Sequence, residues 1–388
     1  MTTAIIGAGV MGETLLSGLV RAGRRVDDLL VGEKREDRAA ELEERYGVSV
    51  VSNADAASKA DTVALVVKPQ DMGAVLDEIA AQLRPGQLLV SLAAGITTAF
   101  IESRVPDGVA VVRVMPNTPA LVDEGMAAVS PGTHCDDQHL AEAEALMSSV
   151  GRVLRIPERQ QDAVTAISGS GPAYIFFVVE SMIEAGVHLG LPRATATDLV
   201  VQTLVGSATM LRETGTHPTV LREQVTSPGG TTAAALRELE VHRVRAAFLA
   251  AREAARDRSR ALAEAEELMG STGRVLRVPE RQMDAVTAIS GSGPAYIFFV
   301  VESMIEAGVH LGLPRATATD LVVQTLVGSA KMLRETGTHP VVLREQVTSP
   351  GGTTAAALRE LETHKVRAAF LAAMEAARDR SRSLAEGS

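Results

Sequence analysis

Two stretches of the sequence carry residue types and spacings that suit binding chemistry, and the first is GAGVMG at residues 7–12. It has the G-x-G-x-x-G spacing and stands between an apolar strand-like run and a helix-like run. In that context the first glycine allows a tight turn, the second lets a pyrophosphate approach the backbone, and the third lets helix and strand pack closely. The following helix N-terminus faces the phosphates. The pattern therefore predicts a dinucleotide site, with NADPH or NADH as the cofactor.

The residues after the next strand give conflicting signals about which of the two cofactors binds. Glu33 lies 21 residues past Gly12, where an acidic side chain binds the ribose 2′-hydroxyl of NAD. Lys34 and Arg35 follow at once and are placed to meet the 2′-phosphate of NADP. An ordinary solvated role for both cations is also open, so the preference stays undecided.

The second stretch is SPGGTT at residues 227–232, which opens the helical run AAALRELE. Two glycines, three hydroxyls and a helix N-terminus together make a cradle for a small carboxylate or phosphate. A plain helix N-cap is the alternative, because Ser and Thr are favoured there in any case.

Other polar residues are weaker candidates for chemistry. Glu180 and Glu184 share one helix face and would suit a metal, but a solvated or locally bonded pair is the simpler interpretation, and no metal is predicted. We expect His188 and His217 to lie on helix surfaces or at caps. Cys135 stands in a polar loop and is assigned no role.

The elements that must position the first stretch alternate between strands and helices. Apolar strands are predicted at 2–6, 29–31, 49–52, 62–67, 88–92 and 109–114, with helical stretches between them. This alternation predicts a parallel, doubly wound sheet, whose ligand crevice lies at the carboxyl ends of the strands. Further residues predicted at that edge are Asn53, Val67, Lys68, Pro69, Ala94 and Asn117.

Composition excludes several classes of protein. The net charge of −10 disfavours a nucleic-acid or basic membrane-surface protein, and a single cysteine excludes a disulfide framework. No apolar run reaches the length of a membrane span, and the start of the chain enters a strand-like run without a charged leader. A cytoplasmic location without membrane or nucleic-acid partners is expected. Aromatic residues make up only 3%, so the core must be aliphatic.

The chain repeats itself. Residues 141–262 recur at 263–384 with a constant offset of 122, and 11 of the 122 aligned positions differ. The junction from Val244 to Met269 contains no Gly or Pro and predicts one continuous helix joining the copies. The expected organisation is an α/β Rossmann-type doubly wound domain at 1–157, followed by two tandem all-α domains at 158–262 and 263–388. Near-identity and an abrupt seam indicate a recent or an engineered duplication.

Taken together, six motifs resemble those of pyrroline-5-carboxylate reductase. They are GAGVMG at 7–12, VVKP at 66–69, AAG at 93–95, VMPNTPALV at 114–122, SGSGPAY at 168–174 and SPGGTT at 227–232. The resemblance runs from residue 1 to about 262, and the remainder is similar to a second copy of the family's carboxyl-terminal domain. It implies reduction of 1-pyrroline-5-carboxylate to proline by NAD(P)H, with hydride transfer to the imine carbon.

The resemblance also implies roles for individual residues. Pyrophosphate binding would fall to Gly7, Gly9, Val10, Met11 and Gly12. Substrate carboxylate binding would fall to Ser227, Gly230, Thr231 and Thr232, with the Thr232 hydroxyl near the imine nitrogen. Their counterparts in the second copy are Ser349, Gly352, Thr353 and Thr354. Asn53 would lie by the adenosine ribose, and Lys68, Pro69 and Ala94 on the nicotinamide side.

Family members form dimers with intertwined helical domains, so the second copy is expected to replace a partner's domain and give a monomeric pseudo-dimer. A homodimer with further exchange is the alternative, and threading through the joining helix would knot the backbone. Two other functions stay open. One is an engineered chain in which catalysis is incidental. The other is a related imine or hydroxyacid reductase, although the lysine base of such hydroxyacid enzymes has no counterpart in the first copy.

Overall fold

The computed structural model describes residues 1–261, 282–348 and 352–386. The chain divides into two compact units. Unit 1 is Met1–Thr165 with a short stretch beginning at Ser259, and unit 2 holds Ala166–Arg258 together with the second copy. The structure thus groups the helical parts of both copies in one unit. Ser349 and the predicted helix beyond residue 261 lie outside the described residues.

Unit 1 is built on one eight-stranded sheet of order β3-β2-β1-β4-β5-β6-β7-β8. All neighbouring strands are parallel except β6 and β7, which are antiparallel. The strands are β1 Thr3–Ile6, β2 Leu29–Gly32, β3 Ser49–Val51, β4 Thr62–Leu65, β5 Leu88–Ser91, β6 Ala110–Met115, β7 Gly125–Pro131 and β8 Gly151–Arg155. The predicted doubly wound sheet is confirmed. The sequence interpretation missed β7, the strand on which β8 pairs.

Helices cover both faces of this sheet. They are α1 Val10–Arg21, α2 Glu36–Tyr46, α3 Asn53–Lys59, α4 Pro69–Ile79, α5 Thr98–Glu102, α6 Asp137–Ser148 and α7 Gln161–Val164. Two aliphatic clusters fill the spaces between sheet and helices, one around Leu15 and Val112 and the other around Leu76 and Val111. Val111 and Val112 are successive residues of β6, so their side chains point to opposite faces, as expected for a sheet buried on both sides.

The carboxylate of Glu158 joins the start of α5 to the sheet. It accepts hydrogen bonds from Thr98 N at 2.8 Å and Thr98 Oγ1 at 2.7 Å, and Arg113 of β6 lies 3.2 Å away. Burial raises the pKa of Glu158, but the hydrogen bonds from Thr98 and the charge of Arg113 outweigh it, so the pKa lies below its usual value. Glu158 is therefore stabilised as a carboxylate.

Unit 2 is entirely helical in the residues that the structure describes. The first copy contributes α8 Gly171–His188, α9 Arg193–Thr214, α10 Pro218–Gln224, α11 Thr231–Val241 and α12 Val244–Ala261. The second contributes α13 Met283–Val286, α14 Gly293–His310, α15 Arg315–Thr336, α16 Pro340–Gln346, α17 Thr353–Thr363 and α18 Val366–Glu386. A π-helical turn precedes α8 at Thr165–Gly169 and α14 at Thr287–Gly291, which the sequence interpretation did not predict.

The two copies pack on each other through pairs of contacts that repeat with the copies exchanged. Such reciprocity is the mark of a two-fold related interface. Helix α10 packs on α14 of the other copy and α16 packs on α8. The reciprocal polar pairs are Ser170–Thr353 and Ser292–Thr231, Thr325–Ser168 and Thr203–Ser290, Arg344–Glu180 and Arg222–Glu302, and His188–Glu375 and His310–Glu253.

Two long apolar stretches among the described residues, Glu158–His188 and Asp284–His310, pass the length and hydropathy test for a membrane span. Their most apolar windows are 89% and 78% buried inside the protein. Buried side chains along α8 and α14 include Tyr174, Phe176 and Phe177 and their counterparts in the second copy. These helices therefore serve as the core of unit 2.

Candidate active site

The loop between β1 and α1 has the backbone that its glycines predict. Gly7 has φ +96°, and a Cβ there would lie 2.4 Å from the carbonyl oxygen of Val66. A Cβ on Gly12 would lie 2.0 Å from the carbonyl oxygen of Gly7. Both glycines are therefore required by close backbone contacts. A Cβ on Gly9, in contrast, would meet no protein atom within 4 Å.

The space beside Gly9 is open, so no packing contact within the protein requires a glycine there. Gly9 is the N-cap of α1, so the unpaired N–H groups of the first helical turn lie beside it. The loop follows β1, the strand at which the order of the parallel sheet reverses, where doubly wound sheets bind nucleotides. Val10 is exposed and Met11 is buried. Binding of a pyrophosphate by these residues stays a prediction.

The residues after β2 form a small charged cluster. Glu33 Oε1 accepts hydrogen bonds from the backbone N–H groups of Lys34 at 2.9 Å and Arg35 at 3.0 Å, so its carboxylate holds this turn. Lys34 Nζ lies 2.7 Å from Glu78 Oε2, and this hydrogen bond lowers the pKa of Glu78. The buried Asn53 Nδ2 also donates to Glu78, at 3.2 Å. Sequence reasoning missed Glu78 because it lies on α4, far from any motif.

Arg38 is a second residue that sequence reasoning missed. Its Nε donates to the carbonyl oxygen of Ala8 at 3.1 Å, inside the glycine loop, and its guanidinium pairs with Glu13 of α1. Burial raises the pKa of Glu13, but hydrogen bonds from Arg38 and Tyr46 outweigh it and the net pKa is lowered. Arg38 therefore braces the loop, and its charge is already compensated by Glu13.

The remaining predicted residues of unit 1 lie at the ends of the next strands. Val67 and Lys68 follow β4, with Lys68 exposed and Pro69 in the first turn of α4. Ala94 follows β5 and is half-buried. Asn117 follows β6, and its Oδ1 accepts a hydrogen bond from Met126 N of β7 at 2.7 Å. All five lie on the edge of the sheet that carries the glycine loop, and their ligand contacts stay predictions.

In unit 2 the SPGGTT motif forms a tight turn that ends in the N-cap of α11. Gly230 N donates to the carbonyl oxygen of Ser227 at 3.0 Å, and a Cβ on Gly230 would lie 2.3 Å from Ser227 Oγ. Gly229 has φ +67°. Thr231 is the first residue of α11, so its hydroxyl and that of Thr232 stand beside the open N–H groups of this turn. The turn, the helix N-terminus and the two threonines are thus adjacent, and their binding of an anion stays a prediction.

The hydroxyls of each cradle contact a serine of the other copy. Thr231 Oγ1 lies 3.1 Å from Ser292 Oγ, and Thr232 Oγ1 donates to it at 3.2 Å. In the other cradle Thr353 Oγ1 lies 3.0 Å from Ser170 Oγ. The serines belong to the SGSGPAY motif and its repeat, to whose residues the sequence interpretation assigned no individual role. Their pairing across copies needed the tertiary structure.

Glu180, Glu184 and His217, the weaker candidates, all have hydrogen-bond or ion-pair partners. Glu180 pairs with Arg344 and Arg367 of the second copy, and Glu184 pairs with Arg193 at 2.6 Å. His217 accepts a hydrogen bond from Thr219 N at 3.3 Å and caps α10, which confirms its predicted cap role. The locally bonded interpretation therefore holds for Glu184, whereas Glu180 is bonded across the two copies, which sequence reasoning did not predict.

Family models match both units. The model for the pyrroline-5-carboxylate reductase dimerisation domain matches twice, at residues 158–262 and 280–384. A model described as NADP oxidoreductase, coenzyme F420-dependent, matches residues 2–95. The doubled match confirms that the sequence repeat is a repeat of one domain.

Curated relatives and solved structures point the same way. A pyrroline-5-carboxylate reductase of Corynebacterium melassecola is 48% identical over 265 residues, which is 67% of this chain and 98% of that protein. The enzyme of that name from Mycobacterium tuberculosis is 48% identical over 282 residues and is covered to 96%. The structure of the Coxiella burnetii reductase matches 68% of this chain and 99% of its own at 36% identity and a TM-score of 0.65. The Plasmodium falciparum enzyme, solved with NADP bound, gives 32% identity, 67% and 97% coverage and a TM-score of 0.60.

A whole reductase of the known length thus fits within two thirds of the chain, and the rest repeats its dimerisation domain. The chain belongs to the pyrroline-5-carboxylate reductase family.

Proposed function

We propose that the chain reduces 1-pyrroline-5-carboxylate to L-proline with NADPH or NADH. The observation that carries the proposal is the match over 98% of a reductase at 48% identity, in a chain that retains both the glycine loop and the hydroxyl cradle. We place the activity in the cytoplasm, where Cys135 stays reduced.

The cofactor residues are proposed from their positions in unit 1. Backbone groups of the loop would hold the pyrophosphate, at Gly7, Gly9, Val10, Met11 and Gly12. The adenosine ribose would meet Glu33, Lys34, Arg35 and Asn53, and the nicotinamide side Val67, Lys68, Pro69, Ala94 and Asn117. When bound, the reduced nicotinamide supplies a hydride. The protein's own contribution is to hold the imine carbon in line with it, since positioning is the largest effect available to such a site.

The substrate residues are proposed from the cradles of unit 2. The hydroxyls and helix N–H groups at Ser227, Gly230 and Thr231, or at Ser349, Gly352 and Thr353, would bind the substrate carboxylate. Thr232 or Thr354 would orient its hydroxyl toward the imine nitrogen and hold a proton there. A protonated imine is the more electrophilic form, and the threonine therefore favours the reactive species.

We also propose that the second copy takes the place of a partner subunit. The reciprocal contacts of unit 2 supply within one chain the interface that a dimerisation domain otherwise makes with another chain. Light scattering is expected to give a particle of 40.7 kDa. A stable dimer would show further exchange between chains and would contradict the pseudo-dimer.

The test of function is a steady-state assay of NADPH and NADH oxidation with 1-pyrroline-5-carboxylate, and with a 2-oxo acid in parallel. Turnover of the cyclic imine and not of the oxo acid is expected. The double variant Thr232→Ala/Thr354→Ala should lose that turnover and keep cofactor binding. A folded chain with no imine turnover would instead favour an engineered chain with incidental catalysis, and turnover of the oxo acid would favour a hydroxyacid reductase.

A further inference from the structure

A cleft in unit 2 lies between the start of α9 and the end of α15, and the proposed reaction makes no use of it. Its volume is about 540 Å³, within the range of small-molecule sites. One wall is a face of α9 at residues 193–202, and the other is the last turn of α15 with the residues that lead into α16, at 333–340. Both walls belong to unit 2, so the cleft lies where the two copies pack on each other.

Arg334 stands in this cleft with a hydrogen-bonding group that the protein does not satisfy. Its side chain is half-buried, and no described residue accepts a hydrogen bond from its Nε, which is itself buried. The counterpart in the first copy, Arg212, is exposed and does have an interaction partner. A buried charged donor without an acceptor costs free energy, so such a group needs an explanation. A ligand that supplies the acceptor is one.

The remaining charges around the cleft leave a positive excess. Arg193 donates to both carboxylate oxygens of Glu184, at 2.6 and 3.1 Å, and Asp198 lies in the same wall as Arg193. Two arginines therefore stand against two carboxylates, and their charges cancel. Lys331 lies one helical turn before the unsatisfied arginine on α15, where the first copy has Thr209. The second copy thus adds one positive charge beside this cleft that the equivalent helix of the first copy does not carry.

Apolar side chains line the rest of the cleft, among them Val201 of α9, Leu333 of α15 and Pro340. A guanidinium binds a carboxylate through two parallel hydrogen bonds, and a single excess positive charge matches a monoanion. We propose that the cleft binds a small monocarboxylate with an apolar body, whose carboxylate meets Arg334. The lining contains no residue of the glycine loop or of either threonine cradle. The inference therefore concerns a second site and does not depend on the proposed function.

The test compares isovalerate with isovaleramide, which has the same shape without the charge. Isothermal titration calorimetry on the full chain is expected to show one bound isovalerate per chain and no binding of the amide. Arg334→Gln should weaken isovalerate binding at least tenfold, because it removes the guanidinium fork. Arg212→Gln is the matched control from the first copy and should bind within twofold of the unmodified chain. The double variant Thr232→Ala/Thr354→Ala should also bind within twofold, since the substrate cradles are a different site.

Thermal melting of the same proteins separates binding from stability. Arg334→Gln should not lower the melting midpoint of the unliganded chain, because Nε of Arg334 has no acceptor among the described residues to lose. Isovalerate should raise the midpoint of the unmodified chain and leave that of Arg334→Gln unchanged. If Arg334→Gln does not fold, Arg334→Lys carries the comparison, since it keeps the charge without the fork and should still weaken binding.

Four results would overturn the proposal. They are equal losses in Arg334→Gln and Arg212→Gln, loss of binding in the threonine double variant, tighter binding of inorganic phosphate than of isovalerate, and no binding of either anion. None of them bears on imine turnover, which the steady-state assay measures separately.

Discussion

Among the glycines of the loop, Gly9 is the one whose substitution should weaken cofactor binding while leaving protein stability nearly unchanged. Its φ of −65° and ψ of −172° are open to any residue, and a Cβ there meets no protein atom within 4 Å. Gly9→Ala therefore adds a methyl group without strain. The substitution lowers the conformational entropy of the unfolded chain, which stabilises the folded protein by about 0.4–1 kcal/mol. Alanine is also a poorer N-cap residue than glycine, and this destabilises α1 by a similar amount. The free energy of unfolding is expected to change by less than about 1 kcal/mol.

The same methyl group would occupy the space in which the pyrophosphate is proposed to lie. A shift of the phosphates away from the N–H groups of α1 should raise the KM for NADPH by about 10- to 100-fold, which corresponds to about 1.4–2.8 kcal/mol. The effect on kcat at saturating cofactor should be small. Steady-state kinetics and thermal melting of the same preparation measure both quantities.

Gly12→Ala is the matched control. Its Cβ would stand 2.0 Å from the backbone oxygen of Gly7, so α1 must move away from the loop. Forcing atoms into such a packed site costs about 1–3 kcal/mol, and its melting midpoint should fall. A Gly9→Ala protein that melts as low as Gly12→Ala, or that binds NADPH normally, would refute this assignment of the two glycines.

Three further outcomes are expected. Arg35→Ala should raise the KM for NADPH about tenfold and leave the KM for NADH unchanged. The Arg35 side chain is 65% exposed and so open to a 2′-phosphate, and a charged hydrogen bond contributes about 1.5 kcal/mol or more. Equal effects on both KM values would argue against a 2′-phosphate contact. Glu180→Ala should destabilise unit 2 by about 1.5–3 kcal/mol in denaturant titrations, as should Glu302→Ala, since each removes a carboxylate shared by two partly buried arginines. Of these arginines, Arg367 and Arg245 keep a second carboxylate, that of Glu362 and that of Glu240. The pKa of Glu158 is lowered in the folded protein, so its ionised carboxylate stabilises the fold fully above about pH 4.3, the usual pKa of Glu. This stabilisation is lost as the pH falls through the folded-state pKa of Glu158. In Glu158→Gln this part of the acid dependence of the unfolding free energy should be missing.

The sequence predicted what depends on local pattern. Alternating apolar strands and the spacing of Gly7, Gly9 and Gly12 were sufficient to predict the doubly wound sheet and the edge at which such sheets bind nucleotides. Both features depend on residues that are close together in the sequence. The strand Gly125–Pro131 escaped prediction because it runs antiparallel to β6 and only the short 3₁₀-helix Thr118–Val122 lies between them, not the α-helix that joins parallel strands. The pairing of Ser170 with Thr353 escaped as well, since 183 residues separate them and no periodicity links them.

One of the few differences between the copies falls at a residue that contacts the sheet in the first copy. At Gln161 the side-chain amide donates to Ser130 Oγ at 2.8 Å and to the carbonyl oxygen of Ala128 at 3.2 Å, both on β7. The repeat begins at residue 141, after β7, so the second copy has no counterpart of these acceptors, and its residue at this position is Met283. The copies therefore differ at a position whose side chain bonds to the sheet in the first copy, while Ser292 and Thr353 match Ser170 and Thr231.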